Sequence, residues 1–343
     1  MFSKYIIDWY SEFGRELPWR NTKDPYLIWI SEIILQQTRV AQGYNYYLRF
    51  IDRYPTVQKL AESSEQEVLK YWQGLGYYSR ARNLLAAAQS ISGNFPSTYA
   101  DVISLKGVGE YTAAAICSFA FDLPYAVVDG NVYRVLSRYY GVSTPINTSK
   151  GKKEFSELAQ GLIDKKYPAK YNQAIMDFGA IQCTPKSPKC QECPLVDSCV
   201  AYNESKIQDL PVKQGKTKVR NRYFNYFYII DTDGSIFLNK SIGSDIWKNM
   251  FDFPLIETEK SVELGELLNQ ESFLSDLNLS DISSVVQNYQ HVLSHQKIFA
   301  KIYTVKLTKK YINLTNYLKI NIDDLDLDPV PKLIHQFLQN IVE

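Results

Sequence analysis

LKGVGEYTAAAICSFAF, residues 105–121, puts Gly107 and Gly109 around Val108 and then runs into a strongly apolar helix. Helical periodicity precedes it, so the stretch predicts helix, tight turn, helix. Glycine lets a backbone turn sharply and lets another molecule come close to it. Amides of such a turn lie at the positive end of the second helix dipole, where they suit a phosphate oxygen. Leu105 and Val108 are placed to anchor the turn from below. A glycine-terminated helix junction has the same local signature, so the rest of the chain must decide.

A chain of 343 residues is long enough for two cores. No apolar run approaches the ~20 residues of a membrane span. The start, MFSKYIIDWYSEFGREL, carries acids in an amphipathic pattern and has no small-residue cleavage site. That favours a cytoplasmic protein. The net charge of +1 hides an asymmetry. Residues 1–222 hold 28 Lys and Arg against 21 Asp and Glu, and residues 223–343 hold 10 against 16. The divide follows VKQGKTKVRNR, which has five basic residues and no acid and reads as an exposed linker able to lie along phosphates.

The three histidines are His291, His295 and His335, so residues 1–222 contain none. Ser–His and Cys–His nucleophile pairs and His-ligated metals are therefore excluded there. Any acid–base chemistry in that part must use carboxylates, Tyr, Lys or Cys.

Apolar residues recur at three- and four-residue intervals in DPYLIWISEIILQQTRVAQGYNYYLRFIDRY, SEQEVLKYWQGLGYYSRARNLLAAAQSI and KKEFSELAQGLIDKKY, which predicts helices. After residue 222 the pattern changes. RYFNYFYIIDTDGSIFLNK is two β-rich runs around Asp233-Gly234, a hairpin signal, and VLSHQKIFAKIYTVKL is a further strand. PVPKLIHQFLQNIV predicts a closing helix. The expected boundaries are a helical domain over 1–207, a basic linker over 208–222 and an α+β domain over 223–343.

Cys183, Cys190, Cys193 and Cys199 are spaced C-x6-C-x2-C-x5-C in a Pro-rich loop too small to form its own core. Four such thiols point to a shared metal centre, since disulfides do not persist in a reducing compartment. Spacing alone leaves zinc and a [4Fe–4S] cluster as rivals. Cys117, among Ala, Ile and Phe, reads as core.

LKGVGEYTA followed by VVDGN and then by the cysteine loop resembles the helix-hairpin-helix DNA glycosylases of the endonuclease III superfamily. Within it the chain is most similar to MutY-type adenine DNA glycosylases. The resemblance spans LPWR at 17–20, WISEIILQQTRV at 29–40, GLGYYSRARNL at 74–84, VVDGNVYRVLSR at 127–138 and MDFGAIQCTP at 176–185. It implies an all-α glycosylase domain with a [4Fe–4S] loop over 183–199, then an α+β Nudix-like domain. The implied partner is double-stranded DNA carrying A:8-oxoguanine or A:G mispairs, with no membrane, a monomeric enzyme and a place at the bacterial nucleoid.

The resemblance also assigns residues. Strand-cutting relatives carry a lysine at the position of Tyr111, whose amine forms a Schiff base with the sugar. Tyrosine has no such amine, so this chain is expected to remove the base and leave the strand whole, its phenol bonding Asp129 or the sugar. Glu32, among Trp29, Ile30, Ile33, Ile34 and Leu35, is expected to have a raised pKa and to protonate the leaving adenine. Asp129, at a helix start, is expected to stay ionised and to stabilise the oxocarbenium ion or bond to the sugar. Asn131 orients one of them or a water. Gln37 fills the space left by the flipped base, Tyr77 stacks beside the lesion, and Arg20, Trp19 and Asp177 line the adenine pocket. Gly107 and Gly109 meet phosphate.

GSDIWKNMFDFP at 243–254 is similar to the Nudix-like module of that family, without an acid-rich Nudix box. HVLSH at 291–295 matches its F-S-H recognition loop with Leu293 in place of phenylalanine, and implies Ser294 and His295 as readers of 8-oxoguanine. Two rivals are an endonuclease III-like lyase for oxidised pyrimidines and a non-catalytic damage-binding protein.

Overall fold

The computed structural model describes residues 2–215, 218–243, 245–268, 274, 282–293, 295–309 and 314–342. They form two compact units, one of residues 1–62 with 83–215 and one of residues 63–82 with 216–343.

Every described element of the first unit is helical. The helix Pro25–Leu35 starts where Asp24 accepts the Tyr26 amide, with proline at its first position. Trp29, Ile30 and Ile34 have no exposed surface, and this helix packs against Glu110–Phe121. The latter is buried at every position from Thr112 to Phe119, and Asp122 ends it in the left-handed conformation. Between the preceding helix Tyr99–Ser104 and this one lies the predicted glycine turn, with Leu105 and Val108 buried beneath it.

The buried Asn172 ties three segments together. Its amide donates to Ser118 Oγ and the Tyr125 carbonyl, both at 2.8 Å, and its Oδ1 accepts from the Val127 amide at 3.2 Å. These bonds fix the loop that delivers Asp129 to the start of the helix Gly130–Tyr140. The helix Pro168–Asp177 runs on into a π-helical turn, Phe178–Gln182. A Cβ at Gly179 would stand 2.6 Å from Cβ of Asn131, so only glycine allows the two helices to approach this closely.

Part of the expected linker is structured. The Ile146 amide donates to the Val212 carbonyl at 3.0 Å, and Asn147 exchanges two bonds with Gln214, at 2.7 and 2.8 Å. At the other end Arg220 and Arg222 already belong to a strand. Arg222 is held by Asp245 and Glu257 at 2.6–2.9 Å, so its charge is neutralised within the fold rather than offered to phosphates.

In the second unit the described strands are β1 (Arg220–Ile230), β2 (Ile236–Lys240), β3 (Phe251–Asp252), β4 (Leu255–Thr258), β5 (Ile282–Val292), β6 (Gln296–Lys306) and β7 (Leu318–Ile320). They form one sheet in the order β3-β2-β1-β6-β5, with β4 also on β1 and β7 on β2. β1 and β6 run parallel and the other pairs antiparallel. The predicted hairpin joins β1 to β2, with Gly234 at φ 85°. One face buries Phe227, Ile229, Ile256, Tyr303 and Val305. On the other, Tyr228 and Phe253 meet Phe337 of the closing helix Lys332–Val342 at ring distances of 5.1 and 5.5 Å.

Candidate active site

The first unit contains a cleft of about 180 Å3 whose walls include Trp19, Arg20, Glu32, Tyr111, Asp129 and Asn131. Three elements deliver the chemistry. Glu32 comes from the middle of Pro25–Leu35, Tyr111 from the first turn of Glu110–Phe121, and Asp129 from the cap of Gly130–Tyr140.

Glu32 is 6% exposed, as its apolar neighbours implied. Burial pushes its carboxyl up, the Tyr111 hydroxyl pulls it down, and the charges of Asp129 and Arg20 act in opposite directions. The net result is a pKa raised to about 7. At neutral pH a large fraction therefore carries the proton that a general acid needs.

Asp129 has a different setting. Its Oδ1 accepts the amides of Asn131 and Val132 at 2.9 and 2.8 Å, and its Oδ2 accepts Asn131 Nδ2 at 2.8 Å. Burial still carries its pKa upward, against these donors and Arg134. The expectation from the cap alone was a carboxyl free to stay ionised. The structure adds a burial cost that the helix end and three donors only partly offset.

Tyr111 reaches the cleft from the first turn of its helix. Its hydroxyl donates to the Met176 sulfur at 3.9 Å, and the carboxyls of Glu32 and Asp129 both act on it electrostatically. Burial holds the phenol well above its ordinary pKa, so it acts as a neutral donor.

Asp177 does not face the cleft. It is fully buried and takes Arg20 Nη1 and Nη2 at 2.6 Å and Arg15 Nε at 2.9 Å. Burial would raise its pKa, and the bonds from Arg20 and Arg15 outweigh that and hold it below the ordinary carboxylate value. Asp177 thus acts through Arg20, which does reach the cleft beside Trp19. Arg15 also lines the cleft and was missed, because nothing marks it locally as more than a surface cation.

Arg134 was missed as well. Its guanidinium donates to Asn131 Oδ1 at 2.8 Å, the Gly179 carbonyl at 2.6 Å and the Cys183 carbonyl at 2.8 Å. One turn on, Arg138 holds the carbonyls of Thr184, Pro185 and Leu210 at 2.7–3.1 Å, and its Nη1 lies 3.5 Å from the Cys183 sulfur. A single helix therefore carries Asp129 at its cap and grips the cysteine loop with two arginines.

The four loop cysteines are unpaired and line one cavity with Gln182, Val196, Tyr202 and Ile207. Burial pushes the Cys193 thiol up to about 12 and raises Cys190 and Cys199, so four thiolates there need a strong positive centre. Among the described residues no group of three such side chains closes on a single metal ion. Four sulfurs lining one cavity are the donor set that a [4Fe–4S] cluster takes, one thiolate to each iron.

The remaining candidates fall elsewhere. Gly107 has φ 82° and an added Cβ would stand 2.8 Å from Asn83, whereas at Gly109 it meets nothing within 4 Å, leaving that side of the turn open. Gln37 and Tyr77 share an unusual feature: both are non-glycine residues in the left-handed region, at φ 58° and 48°. His295 is exposed in the turn between β5 and β6, where its carbonyl accepts the Arg220 amide at 3.0 Å. Leu293 is half-buried in the same turn, and Ser294 lies outside the described residues.

Three families match this architecture. One described as HhH-GPD superfamily base excision DNA repair protein covers residues 30–161, the iron-sulfur binding domain of endonuclease III covers 183–199, and the NUDIX domain covers 225–340. Fold and site together define a helix-hairpin-helix DNA N-glycosylase with a [4Fe–4S] cofactor and a Nudix-like second domain. The adenine DNA glycosylase of Buchnera aphidicola subsp. Baizongia pistaciae is 36% identical over 304 residues, covering 87% of this chain and 84% of that one. The one from Buchnera aphidicola subsp. Acyrthosiphon pisum is 33% identical and covers 99% of both chains. A solved thermostable thymine-DNA glycosylase matches with TM-score 0.56 and 33% identity over 59% of this chain and 95% of its own. The chain belongs to the adenine DNA glycosylase family, whose work is base excision repair. No described helix is long and apolar enough to cross a membrane.

Proposed function

We propose that the chain is a monofunctional enzyme that excises adenine mispaired with 8-oxoguanine or guanine, acting as a monomer on DNA at the bacterial nucleoid. The observation that carries the mechanism is the contrast between two carboxyls on one cleft: Glu32 half-protonated near neutrality, Asp129 bound by three donors at a helix start. The three donors favour the charged form of Asp129, which suits it to stabilise positive charge while Glu32 supplies the proton.

The adenine is flipped out of the duplex at a cost of a few kcal/mol, least at a mispair. Gln37 and Tyr77 occupy the disturbed stack, and Trp19, Arg20 and Arg15 receive the base. Glu32 gives its proton to the adenine ring as the bond from ring nitrogen to sugar C1′ breaks, and the bonding pair leaves with the base. Asp129 stabilises the resulting oxocarbenium ion by charge or by a transient bond, and water then adds at C1′. Asn131 holds Asp129 in place. Tyr111 offers no amine to the opened sugar, so the strand stays whole. His295 and Ser294 read the opposite base.

When bound, the [4Fe–4S] group supplies the positive centre that keeps Cys183, Cys190, Cys193 and Cys199 together, and Arg134 and Arg138 relate that loop to the cap of Asp129. Single-turnover release of adenine from A:8-oxoguanine and A:G duplexes tests the reading. Absence of adenine release from both would overturn it.

A further inference from the structure

The compact units cut across the family boundaries. Residues 63–82, inside the span matched to the glycosylase family, pack with the sheet-containing residues 216–343. The segment consists of the helix Glu65–Trp72 and the turn that presents Tyr77.

That turn is unusual backbone. Gly74, Gly76 and Tyr77 have φ values of 94°, 74° and 48°, three left-handed residues in four positions. For tyrosine this conformation is costly and persists only when its surroundings impose it. Two side chains do so locally. Trp72 Nε1 and Arg80 Nη2 both donate to the Gly76 carbonyl, at 3.1 and 3.2 Å, and the Arg80 guanidinium stacks 5.5 Å from the Tyr77 ring.

The helix feeding the turn is pinned at both ends. Near its start Glu65 accepts Asn249 Nδ2 at 2.5 Å and Gln66 donates to the Asp328 carboxylate. Just past its end Gln73 Oε1 accepts the Val330 amide at 3.3 Å, one residue before the turn begins.

We propose that Gln66 and Gln73 are positioning residues for Tyr77. Through them Asp328 and Val330 set the angle at which the tyrosine enters the helix, and so contribute to telling 8-oxoguanine from guanine. The C-terminal domain then reads the lesion twice, once through the turn carrying His295 and once through its hold on Tyr77. The inference rests on the stacking role given to Tyr77 above.

The test uses the full-length chain with its cluster. Single-turnover rates on A:8-oxoguanine and A:G duplexes are measured for Q66A/Q73A, for Y77A and for the triple variant. Q66A/Q73A is expected to lower the ratio of the two rates about three- to tenfold. The triple variant is expected to match Y77A, because residues that act through one another are not additive. Q66R keeps a donor for Asp328 and is expected to hold the wild-type ratio, which separates lost positioning from a damaged fold. If Y77A lowers the ratio and Q66A/Q73A does not, the positioning proposal is overturned while the stacking role stands. A triple variant worse than Y77A by the full Q66A/Q73A factor overturns it too. If Y77A leaves the ratio unchanged, the stacking role itself fails, and the proposal with it.

Discussion

Arg134 Nε donates to the carbonyl of Cys183 at 2.8 Å, and the same guanidinium holds Asn131, the residue that positions Asp129. One side chain thus spans the distance from a cluster ligand to the base of the cleft. Replacing Arg134 by Met leaves the carbonyls of Gly179 and Cys183 without a donor, each worth about 1–3 kcal/mol when buried. The expected result is a slower excision step together with lower iron retention. Iron content and single-turnover rate of one preparation check it, and loss of rate with full iron content would confine Arg134 to the cleft.

Glu32→Gln is expected to abolish excision while mispair binding survives, because the pocket keeps its shape and loses only its proton. The rate in the native enzyme is expected to fall as pH rises through about 7, where Glu32 loses that proton. Stability follows the same group. Its folded pKa lies above the ordinary 4.5, so the folded state holds the extra proton between those values and loses stability as pH rises through about 7. The melting temperature of the Glu32→Gln variant should therefore exceed that of the native chain by more at high pH than at low pH, on either side of that value.

Asp129→Asn keeps an acceptor for the Asn131 and Val132 amides, so the helix cap and the fold are expected to survive. The negative charge opposite the sugar is lost. Excision should drop by on the order of a hundredfold or more, in line with removal of one charge-stabilising group. A melting curve alongside single-turnover kinetics distinguishes lost chemistry from lost folding.

The purified protein is expected to be brown and to carry about four irons per chain. Cys193→Ser should lose both, and with them the order of the loop that Arg138 grips. A colourless protein with one zinc per chain contradicts the cluster.

Much of this site was legible because its signals are local. The cysteine spacing, the glycine turn and the aspartate before Gly130 each mark a position within a few residues, and their order along the chain is what points to the chemistry. Glu32 was legible for the same reason, since its own helix supplies the apolar surroundings that raise its pKa. Arg134, Arg15 and the role of Asp177 were not: Arg15 meets Asp177 162 residues away, and Arg134, besides its neighbour Asn131, holds the Gly179 and Cys183 carbonyls 45 and 49 residues away, contacts that leave no mark on the local sequence. The Tyr111 contact with Met176 is equally silent in the sequence, because the phenol reaches a sulfur 65 residues away. β5 was overlooked because its run ISSVVQNYQHV, broken by polar residues, lacks a continuous apolar signal, and its place follows from pairing with β6. The membership of residues 63–82 in the second unit has no sequence signature at all.

The central claim is an enzyme that removes adenine by hydrolysis and leaves the strand intact. It is tested by incubating the native protein with duplexes bearing adenine opposite 8-oxoguanine, G, C or T, and resolving products with and without hot alkali. The account predicts adenine release fastest opposite 8-oxoguanine, then opposite G, with strand breaks only after alkali. Strand cleavage without alkali, or release of oxidised pyrimidines in place of adenine, would contradict it.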